Sequence, residues 1–201
     1  KSISLVLIGI LIISGFGAVA IPQTNESVVL YETENIELTS PIIVDRGEFN
    51  SIELAQGTSY LLDSGKPFIP RITKVYKLPF KTIVNNVFVD FSEPKQYTLT
   101  KQIQPSPEII IDGKPLEPSV KKSEETYSSF DYYPNEQFNY RTCTGLDGTE
   151  HVVYLSVQCY PIQYIPAENI LYYHDSIEIT IEYETPKNQV NFPDMYDLVI
   201  I

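Results

Sequence analysis

The sequence predicts an all-β fold, with antiparallel sheets packed as a sandwich or closed in a barrel-like way, and three observations carry that reading. Apolar residues recur at a period of two, most clearly where Ile177, Ile179, Ile181 and Tyr183 alternate with Glu178, Thr180, Glu182 and Glu184. That is the pattern of a strand with one face on a core and the other in water. Asp63-Ser64-Gly65, Asn85-Asn86, Asp112-Gly113 and Asp147-Gly148 supply residues that tolerate positive φ between the alternating runs, and fifteen prolines punctuate the rest. No window shows a helical apolar stripe of ten or more residues, and short strands without helices between them favour stacked antiparallel sheets.

Taken in order, the chain opens on Lys1, a nearly unbroken aliphatic stretch over residues 3–16, and then Gly17-Ala18-Val19-Ala20. A short apolar core followed by small residues at −3 and −1 is a signal peptide pattern with cleavage after Ala20, so the body is expected to be exported and secreted or held at the cell surface. Any membrane contact is expected only through this segment. A β-rich unit spans residues 21–184, with strands predicted over 27–31, 35–39, 51–55, 69–78, 87–91, 97–103, 136–142, 152–159 and 177–184. In the 152–159 strand, Val153, Leu155, Val157 and Cys159 share one face, opposite Tyr154, Ser156 and Gln158.

Residues 105–135 differ, with five prolines, Lys121-Lys122, Glu124-Glu125 and a run of hydroxyl residues. They read as a long irregular loop of the kind that lies across something else. Residues 185–195, with Pro186, Lys187, Asn188, Pro193 and Asp194, read as a linker. The run Tyr196-Asp197-Leu198-Val199-Ile200-Ile201 lacks alternation and reads as a fully buried parallel strand, the start of a truncated α/β domain. With Lys1 in place of an initiator methionine and this apolar run at the other end, both termini read as cut.

Fourteen basic against twenty-six acidic side chains give a formal net charge of −12, and loss of Lys1 with the first twenty residues makes it −13. A nucleic-acid partner needs a basic face, and no cluster longer than Lys121-Lys122 exists. Cys143 and Cys159 in an exported chain lead to the expectation of a disulfide, although a hairpin turn at Asp147-Gly148 would set Cys143 against a residue near His151 or Val152 instead. No metal or other cofactor is expected, because the two histidines, His151 and His174, have no ligand spacing to the cysteines. Glu178, Glu182 and Glu184 read as a water-facing strand face, the fifteen tyrosines as strand formers with a polar tip, and Asn25-Glu26-Ser27 fits a glycosylation sequon.

The order of several motifs is informative: Tyr60-Leu61-Leu62, Gly65-Lys66-Pro67-Phe68-Ile69-Pro70, Tyr133-Pro134, Gly148 before the 152–157 strand, Pro161-Ile162-Gln163-Tyr164-Ile165-Pro166, the 177–183 strand and the terminal apolar run. Over residues 55–201 this resembles the pro-domain of gingipain-type cysteine peptidases. The resemblance implies a β-rich propeptide that assists folding and keeps the peptidase latent. Its partner is then its own C-terminal peptidase domain in cis, and the catalytic His and Cys lie beyond Ile201. The fragment itself is then not an enzyme, and neither Cys143 nor Cys159 takes the catalytic role. Latency of this kind is similar to substrate mimicry by a basic side chain, for which Lys121, Lys122 and Arg141 are the candidates, and Lys187 is the candidate maturation site. The alternative is an extracellular β-sandwich that binds carbohydrate or protein through its loops. An enzyme wholly within these residues is disfavoured, since no nucleophile, base and orienting group stand at recognisable spacings.

Overall fold

The computed structural model describes residues 28–107 and 121–186, and these build an antiparallel β fold around one continuous core. The strands run in chain order as β1 (Val28–Glu37), β2 (Ile42–Asp45), β3 (Asn50–Glu53), β4 (Ser59–Tyr60), β5 (Pro70–Pro79), β6 (Ile83–Phe91) and β7 (Lys95–Thr98). A one-turn helix α1 (Glu124–Tyr127) precedes β8 (Phe138–Asp147), β9 (Glu150–Cys159), β10 (Ile162–Ile165), β11 (Ile170–Tyr173) and β12 (Ser176–Thr185). They form a three-stranded sheet β1-β12-β6, a four-stranded sheet β4-β5-β9-β8, a three-stranded sheet β10-β11-β7 and the hairpin β2-β3.

The two larger sheets face each other through the positions whose alternation the sequence displays. Ile177, Ile179 and Ile181 of β12 and Val153, Leu155, Val157 and Cys159 of β9 are all buried in the shared core, while Glu178 is exposed. Fully burying each branched aliphatic side chain contributes roughly 1.5–3 kcal/mol, so these two strands supply much of the driving force. Asp147 pairs with Glu150 across a two-residue loop in which Gly148 has φ +63°, a turn that favours glycine at its first position.

Four local expectations are corrected by tertiary pairing. The strands expected at residues 27–31 and 35–39 are one strand, β1, because Glu32, Thr33 and Glu34 pair without interruption with Ile181, Thr180 and Ile179. Alternation fails there because Glu34 lies on the core-facing side of β1. Its carboxylate accepts hydrogen bonds from Lys74 Nζ at 2.5 Å and Tyr76 Oη at 2.6 Å, both from β5 on the opposite sheet. Asn85-Asn86 is not a turn: the register passes from Glu182–Asn86 to Tyr183–Val84, so Asn85 is the extra residue of a β-bulge within β6. The 97–103 strand gives way to β7, after which residues 99–105 form no continuous ladder and pair with the body by the isolated bridges Asn50–Ile103 and Pro67–Pro105 and by single backbone hydrogen bonds such as Leu99 N to Asn169 O. The 105–135 stretch is irregular only in part. α1 lies within it, capped by Ser123, whose Oγ accepts from Thr126 N, and Tyr133 and Tyr164 are bridged.

The signal segment with Ala20, the Asn25 sequon, Asp112-Gly113, Lys187 and the 196–201 run lie outside the described residues.

Burial opposes ionisation of Glu34, but the hydrogen bonds from Lys74 and Tyr76 and the Lys74 charge outweigh it and hold the carboxyl below its ordinary value of 4.5. A group with a lowered folded-state pKa contributes stability that is present above its unfolded pKa and lost as pH falls through the folded one. Glu34→Gln is therefore expected to lower stability at neutral pH by about 1–2 kcal/mol. The gap to the parent should close as urea titrations are repeated below the unfolded carboxylate range, and a gap unchanged at acid pH would contradict the assignment.

Candidate functional site

The sequence candidates fall on two separate parts of the molecule. Lys121 and Lys122 sit where the chain rejoins the body after residue 120, and Arg141 lies in the middle of β8.

The first part is organised by Gly65. Its backbone N–H donates to Ser106 O at 3.0 Å, its carbonyl accepts from Ser123 N at 2.9 Å, and Ser106 N donates to Lys66 O at 2.7 Å. Both flanks of residues 108–120 are thus fastened to the same turn. Glycine is required there: φ is +76°, and a Cβ would stand 2.5 Å from the Lys121 carbonyl oxygen. Beyond Ser123 the buried ring of Tyr127 drives α1 onto the body, and its hydroxyl donates to Ile103 O at 2.6 Å. Desolvation holds that phenol neutral, well above its ordinary range.

Three contacts hold Lys122. Its ammonium lies 5.3 Å from the centroid of the Tyr127 ring, 3.3 Å from Gln102 Oε1 and 3.6 Å from Glu124 Oε1. Its head group is thus engaged within the domain. Lys121 is exposed, and its carbonyl oxygen stands where a Cβ on Gly65 would meet it. Arg141 is exposed on the outer face of β8 opposite Ser156, and its guanidinium has no ion-pair partner among the described residues. No contact brings Arg141 together with Lys121 or Lys122.

The expected Cys143–Cys159 disulfide is also corrected, because both thiols are free. Cys143 is opposite Tyr154 and Cys159 is opposite Phe138, so they stand five ladder positions apart and on opposite faces of the β8–β9 pair. Burial pushes the Cys159 thiol up to about 12, which leaves it an inert core residue.

A cleft lined by Asp90, Ser92, Glu93, Gln137 and His174 gathers groups that resemble catalytic machinery in composition. Their bonding shows otherwise. His174 Nδ1 donates to the Ser92 carbonyl at 2.5 Å, and Nε2 accepts from Gln137 Nε2 at 3.1 Å. Ser92 Oγ accepts the backbone N–H groups of Asp175 and Ser176 at 2.9 and 3.2 Å, and the Asp175 carboxylate is engaged with Lys95. The imidazole never meets the serine hydroxyl, so these residues join β6 to the β11–β12 corner and do not activate a nucleophile. Among the described residues, no group of three or more His, Cys, Asp or Glu side chains forms a metal site.

Sequence reasoning missed Gly65 as a clamp and Tyr127 as an anchor. Asp63-Ser64-Gly65 did signal a turn, but nothing local shows that Lys121 returns to it. Ser123 followed by Glu124-Glu125 is an N-cap signature that marks α1.

A family model described as Propeptide_C25 matches residues 17–193. A structure bearing on the zymogenic latency of gingipain K from Porphyromonas gingivalis superposes with a TM-score of 0.61 at 15% identity, covering 80% of this chain and 94% of that one. A chain from the complex of Porphyromonas gingivalis RgpB pro- and mature domains gives a TM-score of 0.59 at 16% identity, covering 81% and 86%. No curated protein matches the sequence.

Gly65→Ala is expected to unfasten the Lys121–Ser123 flank, since the new methyl meets backbone on one side and a strained φ on the other. Limited proteolysis should then cut near residues 121–123 at least several-fold faster than in the parent, at a cost of about 1–3 kcal/mol in global stability. Equal cleavage rates would refute the clamp.

Proposed function

The chain belongs to the Propeptide_C25 family, and on that premise we propose that it is the folding and latency domain of a secreted gingipain-type cysteine endopeptidase, bound in cis to its own catalytic domain. The observation that carries this reading is the family match over residues 17–193, which takes in the whole of the described β fold. The fragment is a propeptide domain and does not itself hold the catalytic residues. Residues 1–20 serve as the signal peptide cut after Ala20, residues 21–184 as the pro-domain and residues 185–195 as the linker cleaved at Lys187. The catalytic domain then begins at residues 196–201.

Latency is assigned to a basic side chain entering the specificity pocket of the enzyme. Lys121 is the first choice among the candidates. It is exposed and lies two residues before Ser123, whose backbone is fastened to Gly65, so a side chain there is presented from an ordered backbone and loses less entropy on docking. Arg141 is the second choice, on a strand that holds it rigidly. Lys122 is the third, because docking it would cost its contacts with Tyr127, Gln102 and Glu124.

Added in trans to its mature catalytic domain, the pro-domain is expected to inhibit at low micromolar levels or better, about 8 kcal/mol for an interface of standard size. Lys121→Ala should raise the inhibition constant at least tenfold, Arg141→Ala less and Lys122→Ala least. Unchanged inhibition in all three variants would remove the mimicry mechanism. Absence of inhibition by the parent would remove latency itself.

A further inference from the structure

Among the described residues, β8 lies at a sheet edge with no further strand paired to it, and it differs from the other edges. β1 turns Glu32 and Glu34 to its inward face, β6 is broken by the bulge at Asn85, and β2, β3, β4, β7 and β10 have four residues or fewer. Inward charge, bulges and brevity are the devices by which sheet edges avoid pairing with other chains. β8 uses none of them. It runs ten residues in unbroken register with β9, carries no proline, and is exposed from Asn139 to Thr144.

Its hydrogen-bonding phase follows from the hairpin. Asp147 and Glu150 flank a two-residue loop and so form a hydrogen-bonded pair, as do the residues at every second position back along the ladder. The N–H and C=O groups of Tyr140, Thr142, Thr144 and Leu146 therefore point away from β9. Leu146 O accepts the Tyr154 hydroxyl at 3.2 Å across that edge and has a second lone pair free.

We propose that β8 is a self-complementary edge that pairs antiparallel with β8 of a second copy of this chain, in the register that sets Cys143 opposite its own counterpart. Only registers in which outward-pointing residues meet outward-pointing residues can bond, and this one satisfies that condition. It sets Tyr140, 43% exposed, against the second copy's Leu146, 60% exposed, and does so twice by symmetry. Thr142 falls opposite Thr144 and Asn139 opposite Asp147, so no like charges meet. Arg141, which has no ion-pair partner among the described residues, falls opposite the second copy's Gly145, with the second copy's Asp147 diagonal to it. Gly145 is bare of side chain and is covered by the ring of Tyr154, which would lie within 3.0 Å of an added Cβ, so Arg141 meets an aromatic ring beside a carboxylate. One strand thus carries both halves of an isologous interface.

The test combines sedimentation equilibrium of the purified chain in reducing buffer with cross-linking by oxidised glutathione. In the latter, two protein thiols give one protein disulfide and two molecules of reduced glutathione. A reversible shift from one chain mass to two is expected as concentration rises through the micromolar range, along with a glutathione-driven covalent dimer. Cys143→Ser should abolish the covalent dimer and keep the reversible one. Thr142→Pro removes only an outward N–H, and Thr144→Lys places charge at the edge. Each should weaken association at least tenfold with an unchanged far-UV spectrum, and Thr144→Lys serves if the proline variant misfolds. One chain mass at every concentration would overturn the proposal. So would efficient cross-linking through a cysteine moved to position 142, which would mean another register.

Discussion

The inward faces of β9 and β12 are the constraint on which the rest of the molecule depends. Val153, Leu155, Val157 and Cys159 on one strand and Ile177, Ile179 and Ile181 on the other are nearly or fully removed from water, and every larger element is hydrogen-bonded to one of these two strands. β5 and β8 flank β9, and β1 and β6 flank β12. Because the two strands are central in their sheets, their side chains need no polar compensation, and the edge strands inherit whatever irregularity the sandwich requires. The Glu34 carboxylate under Lys74 and Tyr76, the bulge at Asn85 and the uncovered length of β8 all fall on or against such edges.

The clamp at Gly65 is a second tier built on this frame. Residues 99–107 and 121–137 cross the body with little ladder pairing, yet their backbone groups are bonded: Asn50 to Gln102 and Gln104, Lys66 to Ser106, Gly65 to Ser123, and Tyr133 to Tyr164. The cis bond at Tyr133-Pro134 and the Gln163 amide that donates to Pro134 O complete the return to β10. A segment fastened in this way presents its neighbours at fixed positions. The same organisation explains why Lys121 and Lys122, adjacent in sequence, differ. Lys121 is exposed beside Gly65, and Lys122 is held by its ammonium group.

Much of the fold was legible because strand alternation is a property of consecutive residues. The predicted strands at 69–78, 152–159 and 177–184 match β5, β9 and β12 closely, and the Asp147-Gly148 turn is where the pattern placed it. Where the reading slipped, a distant partner had changed the meaning of a local signal. Glu32 and Glu34 look like an interruption of a strand until β5 supplies the cation and the phenol forty residues away. Asn85-Asn86 has turn chemistry, but one asparagine is spent as a bulge and donates its amide to Glu184. The cysteines suggest a bridge by their number alone, and the register of β8 against β9 forbids it.

By itself, then, the sequence determined which residues form strands, which strand faces are apolar and to which family the chain belongs. Those properties reside in short windows and in the order of motifs along the chain. Tertiary structure alone decided which carboxylate enters the interior, which lysine is held by its head group, which thiols are kept apart and which ten-residue strand lies at a sheet edge among the described residues. Each of those depends on what packs opposite a residue, and in an antiparallel sandwich the opposing residue lies tens of positions away, set by register and not by neighbours.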